Sequence, residues 1–164
     1  MIFNEELRGQ ATLVLAACRD KGLQLATVES CTGGLIIGLL TDIAGASDVI
    51  ERGFITYSNE AKRQMLNVSE TLLECFGAVS EEVAHAMAEG AINNSYAQIA
   101  VSTTGIAGPG GGNKIKPVGL VHIAVAREHY QTLHERYIFT GDRQGIRDQA
   151  VVASIALLIR MLEK

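Results

Sequence analysis

No apolar run in the chain reaches the ~20 residues that a membrane-spanning helix needs. Residues 1–8 also lack the cationic and apolar regions of a secretion signal. The chain is therefore expected in the cytoplasm, with no membrane partner. Cysteine is sparse: Cys18, Cys31 and Cys75 are odd in number, widely separated and free of CxxC spacing. That pattern argues for reduced thiols rather than a disulfide framework or a thiolate zinc site. His85, His122, His129 and His134 show no metal-ligand spacing, so neither a metal nor any other cofactor is expected. Basic residues are not in excess either, and a formal net charge of −4 provides no broad footprint for nucleic acid.

What is present suits one domain spanning residues 1–164, a length that buries roughly two-thirds of its unfolded surface around one core. Leu7, Ala11, Val14 and Cys18 recur at helical steps and predict a first helix ending near Gly22. A strand is predicted at residues 24–29, then a helix from about 33 to 43, then a strand at 53–57 rich in aromatic and β-branched residues. Short helices follow at 60–66 and 70–76, and Ser80 opens a longer one to about residue 93. The third strand, 98–103, runs into the chain's longest glycine-rich loop, 104–112. Strands at 118–126 and 134–139 read as a hairpin, and a helix with Ile146, Ala150, Ala153 and Leu157 on one face closes the chain. The expected fold is a three-layer α/β/α sandwich around a mixed, mostly parallel sheet of about five strands, one of them antiparallel.

The stretch Glu29-Ser30-Cys31-Thr32-Gly33-Gly34 joins the first strand to the second helix. A serine at such a corner, followed by two glycines, sits beside backbone N–H groups that a nucleophile or an anion can use. Ser30 or Thr32 can also simply cap the helix. Ligands in open α/β sheets collect beyond the carboxyl ends of the strands. Three polar segments fall there: Ser30, Tyr57 with Lys62, and Thr104 with Gly105. Each has a plainer reading, Lys62 as a solvated charge, Tyr57 as a core aromatic and the glycine loop as a connection or lid. The loop matches neither the phosphate-loop pattern nor a dinucleotide fingerprint.

With these residues in view, the sequence resembles the C-terminal domain family of CinA, the competence-damage-inducible proteins, from about Leu7 to Leu162. The motifs that carry the resemblance are the 29–34 stretch, GFITYSNEAK at 53–62, GAVSEE at 77–82, TGIAGPGGG at 104–112, KPVG at 116–119 and GDR at 141–143. It implies an amidohydrolase that converts nicotinamide mononucleotide to nicotinate mononucleotide and ammonia in pyridine nucleotide recycling. It also implies a serine nucleophile at Ser30 with Lys62 and Tyr57 nearby, and pocket positions at Thr104 and Arg143. Larger family proteins carry an additional N-terminal domain, whose activity is not expected of this chain.

On this reading Lys62, if neutral, is the base that activates Ser30, and Tyr57 relays the proton or orients the lysine. Backbone N–H groups near Thr32, Gly33 and Gly34, or at Thr104 and Gly105, hold the oxyanion. Glu29 lies near the cationic ring and Arg143 grips the phosphate, unless each is only a structural partner. Cys31 is the rival nucleophile. The competing class is a non-catalytic nucleotide- or phosphate-binding module using the same corner and loop. The partner expected is a small-molecule nucleotide. The apolar closing helix either covers the sheet or joins a dimer interface, and small enzymes of the family suggest a homodimer.

Overall fold

The computed structural model describes residues 3–164. Met1 and Ile2, part of the segment read above for a secretion signal, lie outside the described residues. Among the described residues five strands form one sheet: β1 (Leu25–Glu29), β2 (Ile50–Ile55), β3 (Ile99–Gly105), β4 (Leu120–Arg127) and β5 (Leu133–Ile138). Their order is β2-β1-β3-β4-β5. β1 runs parallel to β2 and to β3, whereas β4 is antiparallel to both β3 and β5. The expected sandwich with one reversed strand is thus the fold observed.

Among the described residues six α-helices cover the sheet: α1 (Glu5–Asp20), α2 (Leu35–Thr41), α3 (Asn59–Leu66), α4 (Glu70–Phe76), α5 (Glu81–Asn93) and α6 (Arg143–Leu162). Successive strand residues point to opposite faces, and this alternation assigns the layers. Leu25, Ile99, Val101, Val121, Ile123 and Val125 pack with α1, α2 and α6. Ala26, Val28 and Ala100 face the other way, onto Leu66, Leu73, Val83 and Met87 of α3, α4 and α5. The buried stripe of α6, including Ile146, Ala150 and Leu157, covers the sheet. No helix among the described residues is long and apolar enough to cross a membrane.

Five helices open on the caps their sequences advertise, with Asn4, Ser58, Ser69, Ser80 and Asp142 each accepting an N–H from the first turn. α2 is the exception and is shorter than expected. It starts after Gly34, which has φ 101° and offers no side-chain cap. The second strand begins and ends earlier than expected because it pairs along the whole of β1, from Ile50 to Ile55, leaving Tyr57 beyond its end. β3 extends to Gly105 because its pairing with β4 continues to Val121.

One close approach fixes the helix that carries Lys62. A Cβ on Gly90 of α5 would lie 2.3 Å from the carbonyl oxygen of Leu66, the last residue of α3. Gly90→Ala should therefore push the two helices apart and cost about 2 kcal/mol, as overpacking does. Urea unfolding followed by circular dichroism checks this, and an unchanged midpoint would mean that the approach is not tight.

Candidate active site

Alternation at the end of β1 sends two neighbouring side chains to opposite sides of the sheet. Glu29 turns toward α2 and Ser30 toward α3. The Glu29 side chain is fully buried, and its carboxylate accepts the N–H groups of Gly34 at 3.0 Å, Ile36 at 3.0 Å and Ile37 at 2.8 Å. A buried anion at a helix N-terminus meets otherwise unpaired donors and the positive end of the helix dipole. Glu29 is therefore the cap of α2, held from five residues upstream. This corrects both the capping role considered for Ser30 or Thr32 and the placing of Glu29 beside a ligand ring.

Gly33 and Gly34 adopt φ of 60° and 101°, conformations that glycine enters without steric cost. Their N–H groups are already used: Gly33 donates to the carbonyl of Ser30 at 3.1 Å, and Gly34 to Glu29. They are therefore not free to bind an oxyanion, contrary to expectation. The Thr32 hydroxyl is buried against that of Thr103 at 2.8 Å. The N–H groups of Cys31 and Thr32 have no acceptor among the described residues. Arg147 of α6 braces the corner from outside, donating to the carbonyls of Cys31 and Thr32, each at 3.1 Å.

On the other face, Lys62 rises from the first turn of α3. Its side chain is only 1 % exposed, so the reading as a solvated charge fails. Its amine donates to Ser30 Oγ at 3.2 Å, to the carbonyl of Thr56 at 2.8 Å and to that of Tyr57 at 3.5 Å. It pairs with no carboxylate among the described residues. Burial without a counter-charge disfavours the ammonium and brings its pKa from 10.5 down to about 8. A neutral amine at this distance can accept the serine proton.

A cavity of about 240 Å³ opens over the pair, lined among others by Tyr57, Asn59, Ala78, Val79, Thr104 and Arg143. It lies at the carboxyl ends of β1, β2 and β3, where the chain leaves β1 in opposite directions across the sheet. Ser30, Lys62, Tyr57, Thr104, Gly105 and Arg143 are thus brought together, whereas Glu29, Thr32, Gly33 and Gly34 are not among the lining residues. Tyr57 is 62 % exposed, and its hydroxyl accepts from Arg143 at 3.1 Å. Its carbonyl rather than its phenol contacts the lysine. Arg143 also donates to the carbonyl of Gly108 at 2.8 Å, which ties the glycine-rich loop to α6, and it pairs with no carboxylate among the described residues. Thr104 Oγ1 donates to the carbonyl of Ala78 at 2.7 Å, anchoring the wall before α5.

Cys31 also borders the cavity, but it is packed into the core under α2 and α6. Desolvation pushes its thiol up to about 11, so little thiolate exists near neutrality. Arg147, Ala78 and Val79 were not picked out in the sequence. Ala78 and Val79 lie in the GAVSEE stretch, which was visible as a motif without a role. Arg147 carried no signal beyond being a cation one turn after Arg143.

These features define an α/β protein with a buried serine–lysine pair at the carboxyl edge of a mixed sheet. Residues 8–162 match the CinA C-terminal domain model, and the chain belongs to that family. A nicotinamide-nucleotide amidohydrolase PncC of Escherichia coli K12 is 46% identical over 155 residues, 94% of each chain. The PncC of Enterobacter agglomerans is 49% identical over 145 residues, 88% of each chain. A Caldicellulosiruptor saccharolyticus relative is 53% identical over 146 residues, which are 89% of this chain and 35% of that protein, so the chain spans about a third of such longer relatives. The crystal structure of the competence/damage inducible protein CihA from Agrobacterium tumefaciens superposes with a TM-score of 0.95 at 45% identity, covering 99% of this chain and 98% of that one.

The lysine's depressed pKa has a consequence for stability. Between about 8 and 10.5 the unfolded chain holds a proton on residue 62 that the folded chain has released, so stability rises with pH across that window and is unaffected by this group below it. Wild type should therefore gain stability relative to Lys62→Met between pH 8 and 10, with a constant difference from pH 6 to 7.5. Urea unfolding at matched pH tests this, and a pH-independent difference throughout would mean an ordinary lysine.

Proposed function

We propose that the chain is an amidohydrolase that deamidates nicotinamide mononucleotide to nicotinate mononucleotide and ammonia, in pyridine nucleotide recycling. The observation that carries this reading is the 3.2 Å contact between Ser30 Oγ and a buried Lys62 amine whose pKa has fallen to about 8. The nicotinamide-nucleotide amidohydrolases that match this chain over nearly their whole length support the same chemistry.

In the proposed reaction neutral Lys62 takes the Ser30 proton as the hydroxyl oxygen attacks the carboxamide carbon. The cationic pyridinium of the substrate further disfavours an ammonium and helps keep the amine neutral. The tetrahedral oxyanion rests on the Cys31 N–H, which follows the nucleophile as in other serine corners. Lys62 returns its proton to the leaving nitrogen, ammonia departs, and water then releases the acyl group by the same base. At the cavity mouth, the guanidinium of Arg143 lines the cavity with no carboxylate partner among the described residues and is suited to a phosphate. Tyr57 steadies that guanidinium through its hydroxyl. The residues named come from a single chain, so the expected homodimer is not required for the chemistry.

A module that only binds nucleotide has no use for a buried amine against a hydroxyl, and a single assay separates the two. Purified protein given nicotinamide mononucleotide should release ammonia. Ser30→Ala and Lys62→Arg should each lower kcat at least 10³-fold, because one removes the nucleophile and the other replaces the base with a guanidinium that stays protonated. Cys31→Ala should retain most activity, while Arg143→Ala should raise KM roughly tenfold or more. Binding without turnover would favour the module, and activity lost with Cys31 but kept without Ser30 would move the nucleophile to the thiol.

A further inference from the structure

A second cluster of chemically capable side chains lies on the α5 face of the sheet, among residues that do not line the serine cavity. Glu81 and His85 stand one turn apart on α5 and so share a stripe of that helix. His134 reaches them from β5, where it pairs with Ala124 of β4. The two oxygens of the Glu81 carboxylate lie 3.8 Å from His85 Nε2 and 3.6 Å from His134 Nδ1. One ligand atom from each of the three residues falls within 4.8 Å of the other two. Atoms bound tetrahedrally to zinc at ~2.0–2.1 Å stand roughly 3.3 Å apart, so small side-chain rotations complete the geometry.

Two further observations point the same way. His85 Nε2 is buried and has no hydrogen-bond partner among the described residues, and an unpaired buried polar atom calls for a partner. The far side of the His134 ring is held by His122, whose Nδ1 lies 3.0 Å from His134 Nε2. With His134 Nε2 protonated and donating to His122, Nδ1 presents its lone pair toward Glu81. An outer hydrogen bond of this kind fixes the tautomer of a metal-ligating imidazole. Behind His85, a Glu89 oxygen lies 3.9 Å from Nδ1, and Glu89 is itself anchored by the Thr132 hydroxyl at 2.7 Å.

We propose that Glu81, His85 and His134 bind one divalent cation of the zinc class, with water completing the coordination, and so cross-link α5 to β5. Two imidazoles and a carboxylate are borderline donors that suit zinc, cobalt or nickel better than magnesium or calcium, which prefer all-oxygen shells. The chain order hides the set: Glu81 and His85 lie at helical spacing, but their third partner arrives much later on a strand, which is why the histidine spacing indicated no metal. The bound ion would stiffen the first turn of α5, directly after Ala78 and Val79 in the cavity wall.

Calorimetric titration of chelator-treated protein with zinc chloride tests this. One zinc per chain is expected, bound at least tenfold more tightly than by Glu81→Gln or by His134→Ala, with no comparable binding of magnesium. Cobalt(II) should give the intense visible bands of a four-coordinate site in wild type and lose them in both variants. The Glu81 side chain is well exposed, so Glu81→Gln keeps the fold and separates ligand loss from unfolding. Absence of zinc binding in wild type, or wild-type affinity in either variant, overturns the proposal.

Discussion

The site depends on a charge that the fold leaves without an opposite. Lys62 is buried to 1 % exposure, and among the described residues its amine has the serine hydroxyl and the carbonyls of Thr56 and Tyr57 as hydrogen-bond partners. A carboxylate in that position would hold the ammonium and raise its pKa. Neutral oxygens satisfy the N–H donors without restoring the ordinary pKa, so the amine deprotonates near 8. Keeping such a group inside the structure lowers stability below that pH, the usual exchange of stability for reactivity at a working site.

The rest of the architecture serves to bring that amine to the hydroxyl. Because side chains alternate along β1, Glu29 and Ser30 leave on opposite faces, and each is used at once. Glu29 locks the first turn of α2 through three N–H groups, and this fixes the corner from which Ser30 projects. Arg147 holds the same corner through two carbonyls. From the other layer, the close approach of α3 to Gly90 of α5 sets the height of Lys62. A one-residue slip in β1 would exchange the two side chains and abolish both the cap and the pair.

Much of this was legible in the sequence because it is local. The α/β/α sandwich follows from apolar periods that switch between two and about 3.6 residues, and the reversed strand from a short hairpin. The carboxyl-edge rule drew Ser30, Tyr57, Lys62, Thr104 and Gly105 to one region, and the family resemblance added Arg143. What escaped involves side chains that choose their partners only in three dimensions. Glu29 was expected near the cationic ring, with a structural role as the alternative, and the helix that begins at Leu35 claims both its oxygens. Arg147 lies far along the chain from the carbonyls it braces, and Tyr57 contributes its carbonyl where its phenol was expected to act. The clustering of Glu81, His85 and His134 is likewise a product of strand pairing rather than of spacing.

The proposed chemistry depends on the protonation state of one amine, and NMR titration of protein carrying ¹³Cε-labelled lysine observes it directly, with Lys62→Met assigning the resonance. A Lys62 titration near pH 8, well below that of the other lysines, is the predicted result. A Lys62 resonance that titrates with the solvent-exposed lysines near 10.5 would contradict it.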